Sequence, residues 1–144
     1  MAIEIRPFSF EDDEVLCSEA ERSAFLDTDS NVSDEQVHAS LNRIKKQITR
    51  GSHWGYTAVE NEVPVGLILV DVEEGATFVD NLYVTPDYRR KGVGEALMRH
   101  VLQELQKHNV EEVELMVTAN NEAAVGLYEK LGFSVSRFRM QKTF

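Results

Sequence analysis

The sequence predicts a mixed α/β fold: one mostly antiparallel sheet with helices packed on both faces. One short strand comes first and two helical patterns follow it. Three strand patterns then succeed one another through short turns, as in a meander. From residue 92 onwards, helix and strand patterns alternate to the end of the chain. A length of 144 residues is enough for one core, so we expect a single domain over residues 1–144.

Hydrophobic spacing sets the bounds of each expected element. Ile3 and Ile5 alternate with charged residues in a first strand, whereas the next two segments carry apolar residues at helical spacing. Val63 to Val72 is nearly all apolar, which is typical of a central strand buried on both faces. Gly51 and Gly132 are placed to end two of the helices. In chain order we expect a strand at 3–6, helices at 11–26 and 33–51, strands at 54–60, 63–72 and 76–84, a helix at 92–107, a strand at 113–117, a helix at 121–131 and a final strand or tight hairpin at 133–144.

The charge balance excludes one class of function. The net charge is −10, which argues against a nucleic-acid-binding module. Eleven acidic residues and only two basic ones, Arg6 and Arg22, lie within residues 1–35. This acidic stretch is either a solvated surface or a rim that attracts a cationic substrate, and the sequence alone leaves both interpretations open.

The rest of the composition predicts a cytoplasmic chain without a metal site. No apolar run reaches the length of a membrane span, and the first residues lack the pattern of a secretory signal, so we expect no membrane partner. The single cysteine, Cys17, excludes an internal disulfide and is expected to be half-buried. The histidines are scattered along the chain, at His38, His53, His100 and His108.

One segment combines a strand, a basic turn and the start of a helix. It runs from Leu82 to Leu97 and contains Arg89-Arg90-Lys91-Gly92-Val93-Gly94. Helix N-termini expose unpaired N–H groups that bind phosphates, and glycine lets a phosphate approach the backbone. Three adjacent cations add the local positive charge that a polyanion needs on an acidic protein. The spacing matches neither the nucleotide P-loop nor the dinucleotide-binding glycine pattern, so a different phosphate-bearing ligand is indicated.

Two motifs resemble those of a known family. Arg89 to Gly94 matches Gln/Arg-x-x-Gly-x-Gly/Ala, a signature of the GNAT superfamily of acyl-CoA N-acyltransferases. Asn121 to Phe133 resembles the second signature of that family, Asn-x-x-Ala-x-x-Leu-Tyr-x-x-x-Gly-Phe, and one helix and one strand separate the two motifs as in the family. The resemblance covers residues 54–133 well and the preceding residues only by the order of the elements.

The resemblance implies a site for acetyl-CoA in a sheet that splays open. The strand holding Leu82, Tyr83 and Val84 would diverge from the strand at 113–117, leaving a V-shaped slot between the two central strands. Backbone groups of these three residues would pair with the pantetheine arm, and a bulge nearby would aim an N–H group at the thioester carbonyl. The cofactor-binding residues implied are Leu82, Tyr83, Val84, Arg89, Arg90, Lys91, Gly92, Val93, Gly94, Asn121 and Tyr128, with no metal.

Two residues are candidates for the acid–base chemistry of acetyl transfer. An alkylammonium group has a pKa of about 10.4, so the acceptor must lose a proton before it attacks the thioester, and the departing thiolate can then be protonated. Within the family pattern, Tyr128 is the candidate acid. Asp80 is expected to share a face of its strand with Leu82, and it would take the acceptor's proton directly, take it through water, or only bind the ammonium group. Weaker candidates for the base are Glu60, Glu114 and His53.

The sequence therefore predicts an N-acetyltransferase that moves the acetyl group of acetyl-CoA to a primary amine by direct attack in a ternary complex. The acidic N-terminal part favours a small cationic amine such as a polyamine or an aminoglycoside, and residues 8–55 are expected to line the acceptor side. The alternatives are a protein N-terminal or lysine acetyltransferase and, from another class, a noncatalytic CoA-binding regulatory domain. Only eleven residues follow Phe133, so a second subunit is expected to complete the sheet edge in a homodimer.

Overall fold

A computed structural model describes residues 2–26, 31–73 and 75–144. Within these residues lie one five-stranded sheet, with the strands in sequence order, and four α-helices. The strands are β1 (Ile3–Pro7), β2 (His53–Glu60), β3 (Val63–Glu73), β4 (Ala76–Val84) and β5 (Glu114–Leu115). The helices are α1 (Phe10–Leu26), α2 (Asp34–Arg50), α3 (Val93–Lys107) and α4 (Glu122–Lys130). The predicted mixed α/β fold is confirmed.

The first four strands form the antiparallel meander that the sequence predicts. Asn61 and Glu62 connect β2 to β3 with φ angles of 49° and 68°, the left-handed conformation that a tight two-residue hairpin requires. β3 is the central strand, and every residue from Val65 to Val70 is buried. Because both of its faces are covered, its side chains are apolar without alternation.

The helices cover opposite faces of the sheet. Leu67 and Leu69 pack with the buried stripe of α1 and α2, whereas Ile68 and Val70 pack with that of α3. This division follows from the two-residue period of a strand. α2 begins after a capping box between Ser33 and Gln36, which agrees with the helix start predicted at residue 33.

Part of the acidic N-terminal stretch holds the fold together. Asp13 of α1 is fully buried, with a bidentate ion pair to Arg6 at 2.7 and 2.9 Å. The Thr57 hydroxyl and the Ser9 backbone N–H also donate to Asp13, at 2.7 and 3.0 Å. Burial would raise the pKa of this carboxyl, but the three donors outweigh burial and hold its pKa below the ordinary value. Acidic positions 27 and 29 lie outside the described residues.

Strands β4 and β5 run parallel and separate almost at once. They pair only at Phe78 with Glu114 and at Val79 with Leu115, while β4 continues to Val84. Within the described residues, the edge of β4 from Asp80 onward therefore faces no strand of this sheet. The predicted V-shaped splay, between the strand of Leu82 to Val84 and the strand within 113–117, is confirmed.

The end of the chain differs from the prediction. Residues 133–144 form neither a strand nor a hairpin, and β5 is two residues long instead of five. A strand needs a hydrogen-bonding edge, and so short a β5 offers almost none. Apolar side chains of this segment are consequently exposed, including Phe138 at 87% and Met140 at 92%. Cys17 also differs, since it is fully buried and not half-buried. None of the helices in the described part of the chain is long and apolar enough to cross a membrane.

Candidate active site

The first turn of α3 presents backbone amides that no side chain caps. Gly92 occupies the capping position with a φ of 84°, a left-handed conformation that favours glycine. The first amide bonded back to the cap is that of Ala96, which donates to the Gly92 carbonyl at 3.0 Å. The amides of Val93, Gly94 and Glu95 precede that bond, and they are the donors that a helix N-terminus offers to an anion.

This helix start lies against the end of β4. A Cβ built on Gly94 would be 3.8 Å from Val84 Cγ2 and 3.9 Å from Leu82 Cδ2, both ordinary contact distances. The structure thus brings together the strand residues and the glycine turn that the sequence predicts to bind one ligand. Glycine is not sterically required at position 94, which agrees with a signature that allows alanine there.

The basic residues of the turn are anchored on tyrosine rings and on β4. Arg89 Nε donates to the Val84 carbonyl at 2.9 Å, and its guanidinium lies 5.6 Å from the centre of the Tyr83 ring. Lys91 Nζ lies 5.4 Å from the centre of the Tyr88 ring. Arg89 therefore bonds to the carbonyl of Val84, one of the residues predicted to pair with pantetheine, and this bond fixes the turn to the strand.

Helix α4 carries the second motif and is tied to α3. Lys130 Nζ and Glu95 Oε1 form an ion pair of 2.7 Å between the two helices. Asn121 Oδ1 accepts a bond of 3.3 Å from the Ala124 amide and so caps α4. The predicted contact of Asn121 with pantetheine thus falls to its side-chain NH₂ group, which the cap does not use.

Tyr128 is half-buried on α4, with its ring in edge-to-face contact with Phe133 at a centroid distance of 5.9 Å. Burial raises the pKa of its hydroxyl above the ordinary value near 10. The hydroxyl therefore stays protonated at neutral pH. Because a free thiol has a pKa of about 8.5, complete proton transfer from Tyr128 to a free thiolate is uphill, and the favourable role is hydrogen-bond donation to sulfur as charge develops.

A bulge interrupts β4 where the sheet opens. Leu69 of β3 pairs with Asn81 and Val70 pairs with Val79, so Asp80 is the extra residue. The expectation that Asp80 and Leu82 share a face is wrong, because the bulge breaks the alternation. Leu82 packs with the core under α3, whereas Asp80 and Asn81 bond to residues on the other side.

Asp80 accepts a bond of 2.9 Å from Nε2 of His53 on β2. This hydrogen bond, opposed by burial and assisted by the charge of Arg43, lowers the pKa of Asp80 below its ordinary value. A carboxylate with so low a pKa is a weak base and a good partner for a cation. Of the other base candidates, Glu60 bonds to Tyr88 and Glu114 lies on β5.

Glu21 lies beside the bulge of β4 together with Ser40, and neither residue was predicted from the sequence. Glu21 of α1 is buried, with Ser40 Oγ donating to Oε2 at 2.6 Å and Asn81 Nδ2 donating to Oε1 at 3.1 Å. A signal was present, since Asp13, Cys17 and Glu21 are spaced by four along one buried stripe of α1. A carboxylate at a core position of a helix marks either an ion pair or a site.

Among the described residues, no group of three or more His, Cys, Asp or Glu side chains is placed to hold a metal ion. The features that fit a ligand are instead a helix N-terminus with unpaired amides and a free strand edge beside it. Together with the splayed sheet, they define a class of α/β protein in which a helix start suited to an anion lies beside an open strand edge.

Comparison with known proteins identifies the family. Residues 16–133 match the model of the Acetyltransferase (GNAT) family, and the chain belongs to this family. A GCN5-related N-acetyltransferase structure from Ralstonia eutropha JMP134 aligns with a TM-score of 0.79 at 23% identity, over 99% of each chain, which shows the fold. The PaiA N-acetyltransferase of Thermoplasma acidophilum, solved with coenzyme A, aligns with a TM-score of 0.75 at 25% identity, over 96% of this chain and 94% of that one.

Curated relatives match over a shorter span. The [ribosomal protein bS18]-alanine N-acetyltransferase of Escherichia coli (strain K12) is 44% identical over 70 residues, which are 49% of this chain and 46% of the relative. A peptidyl-lysine N-acetyltransferase of the same organism is 36% identical over 77 residues, covering 54% of this chain and 46% of the relative. The chain thus spans about half the length of these curated relatives.

Proposed function

We propose that this chain transfers the acetyl group of acetyl-CoA to a primary amine, by direct attack within a ternary complex. The observation that carries the proposal is the uncapped first turn of α3 beside the free edge of β4. One polyanionic ligand could bind the helix start with its phosphates and the strand edge with its amides. Membership of the Acetyltransferase (GNAT) family supports it.

The residues present fit acetyl-CoA. Amides of Val93, Gly94 and Glu95 would hold the diphosphate, and the positive charges of Arg90 and Lys91 would add attraction. The open edge of β4 would pair with the amides of pantetheine as an added strand pairs with a sheet. When bound, acetyl-CoA supplies the electrophilic thioester. The protein's own role is to orient the thioester, to donate a hydrogen bond from Tyr128, and to hold the acceptor.

The acceptor would bind as an ammonium group beside Asp80. Direct transfer of its proton to Asp80 is strongly uphill, because an alkylammonium pKa of about 10.4 lies more than about 6 units above that of the carboxylate. Asp80 therefore binds the cation, and the proton leaves through water. An acceptor with a lower amine pKa then reacts faster at neutral pH, and a peptide α-amine, with a pKa of about 8, meets this condition.

We infer that a peptide or protein N-terminal amine is the first acceptor to test. The relatives support this choice, since one is described as acting on an alanine of a ribosomal protein and another as acting on peptidyl lysine. A small cationic amine is the second candidate. It is favoured by the two carboxylates Glu21 and Asp80, which lie on the α1–α2 side of the splay.

An amine panel tests the proposal, with release of the CoA thiol as the readout. The panel contains trialanine amide, an N-acetylated tripeptide amide in which lysine replaces one alanine, spermidine and an aminoglycoside. For trialanine amide we expect kcat/KM to rise with pH and to level off at about pH 8, where its amine loses its proton. For spermidine the rise would continue to about pH 10. Thiol release with none of these amines, by protein that binds acetyl-CoA, would favour the noncatalytic CoA-binding alternative.

A further inference from the structure

One buried histidine beside the site, His53, has no role in the chemistry described so far. His53 of β2 lies between Asp80 of β4 and Asp71 of β3, with its side chain 0% exposed. Its Nε2 is 2.9 Å from Asp80 Oδ2, and its Nδ1 is 3.4 Å from Asp71 Oδ1. The Asp80 side chain is 35% exposed, so the cluster runs from the interior of the sheet to the site.

The hydrogen-bonding pattern fixes the protons on the ring. Carboxylates only accept, so Nε2 must carry a proton to bond Asp80. In a neutral ring Nδ1 would then be an acceptor facing another acceptor. Nδ1 and Asp71 Oδ1 are both buried, and neither has another hydrogen-bond partner in the described part of the chain. Leaving two buried acceptors unpaired and opposed is costly, whereas a proton on Nδ1 points at Asp71 and satisfies both.

The surroundings can carry this charge. Asp71 on β3 and Asp80 on β4 face the ring from both sides, and Arg43 of α2 acts on Asp80. Glu21 of α1 is held by Asn81, the neighbour of Asp80. A cationic ring between the two aspartates leaves one net negative charge, which Arg43 balances, and Glu21 adds the negative charge that a bound ammonium would meet.

We propose that His53 is a positioning residue, an imidazolium held between Asp71 and Asp80 that fixes Asp80 at the bulge of β4 and keeps it ionised toward the acceptor. The proposal rests on the proposed function in one respect, namely that Asp80 binds the acceptor's ammonium group. One oxygen of Asp80 is engaged by His53, and the other is left for the acceptor. A bulge residue lies outside the regular ladder, so the side-chain bond supplies the orientation that the backbone does not.

The protonation state is tested on the unmodified protein, without any acceptor. Long-range proton–nitrogen correlation spectra distinguish an imidazolium from either neutral tautomer. We expect the His53 signals to show protons on both ring nitrogens at neutral pH. A neutral ring protonated only at Nε2 would overturn the proposal, whatever acceptor the enzyme uses.

The positioning role is tested with two amide variants of His53. A glutamine at this position reaches about as far as Nε2 and can still donate to Asp80, whereas asparagine reaches only the place of Nδ1. With trialanine amide as acceptor, His53→Asn is expected to raise the acceptor KM about tenfold or more through loss of a charge-assisted hydrogen bond. His53→Gln is expected to recover most of this loss, and the KM for acetyl-CoA should stay unchanged in both variants.

The two arms separate the possible failures. Equal acceptor KM values for the two variants, or parallel changes in the KM for acetyl-CoA, would show a merely structural role and refute the positioning role. If trialanine amide is not an acceptor at all, the proposed acceptor fails. The NMR chemical shift of the Asp80 carboxyl carbon still reports on the hydrogen bond between His53 and Asp80. That shift should titrate at a higher pH in His53→Asn than in His53→Gln, and identical titrations would overturn the proposal.

Discussion

Replacing Tyr128 by phenylalanine tests the chemical step. Burial raises the pKa of Tyr128 above its ordinary value, and the pKa of a thiol is about 8.5, so full proton transfer to the thiolate would be uphill by more than about 2 kcal/mol, the difference between the ordinary values. The hydroxyl would instead donate a hydrogen bond to the charged sulfur, worth about 1.5–3 kcal/mol. Tyr128→Phe should therefore lower kcat by about ten- to 150-fold. The contact of the ring with Phe133 is kept, so stability should hardly change.

The assay is thiol release followed with an aromatic disulfide reagent at saturating acetyl-CoA and amine. The enzyme's own thiol does not interfere, since Cys17 is fully buried and burial raises its pKa to about 12. The matched control is Tyr56→Phe, which removes the hydroxyl of a tyrosine that packs on His100 on the same face of the sheet. An unchanged kcat in Tyr128→Phe, with wild-type stability and acetyl-CoA affinity, would remove Tyr128 from the mechanism.

Three further predictions concern stability, acceptor binding and assembly. Asp13→Asn should lower the free energy of unfolding by about 2–3 kcal/mol at neutral pH. Because the folded-state pKa of Asp13 is depressed, its stabilising contribution is present above the unfolded pKa of about 3.9 and is lost as the pH falls through the folded value. Urea melts at decreasing pH should show this loss in the wild-type protein and not in the variant. Glu21→Gln removes the charge. Its amide oxygen can still accept from Asn81, and its NH₂ group can donate to the Ser40 hydroxyl in a reversed bond. The KM of a cationic acceptor should therefore rise several-fold while that of acetyl-CoA stays constant, and an unchanged acceptor KM would place Glu21 outside the acceptor site. Light scattering should find a homodimer, because residues 133–144 add no strand to the sheet and their apolar side chains are exposed, so a second copy could cover them. A monomer at every concentration would contradict the predicted assembly.

Local patterns were sufficient to predict most of the fold. The apolar run of β3, the cap at Ser33 and the glycine turn before α3 each depend on neighbouring residues, and each forms where the sequence places it. The end of the chain was mispredicted because a strand depends on a distant partner. Neither the length of β5 nor its separation from β4 can be read from residues 133–144.

The site was predictable where a motif is continuous in sequence and not where it is assembled by the sheet. The glycine turn before α3, where we propose that the diphosphate binds, follows from residues 89–94 alone. The resemblance implies a bulge near Leu82 to Val84, but no residue pattern within β4 places the extra residue at Asp80, and the bulge there reverses the expected face. The contacts of His53 with Asp71 and Asp80, and of Glu21 with Asn81, join residues 18 to 60 positions apart, so they become visible only in the folded chain.

Calorimetric titration of the folded protein with CoA and acetyl-CoA tests the central claim most directly, because every step depends on a carrier docked at the first turn of α3. We expect binding of both ligands, weakened by salt since the contacts are to phosphate, and weakened also by Gly92→Ala, which strains the left-handed cap without filling the site. If neither ligand binds at low salt, even at millimolar concentration, the account is contradicted.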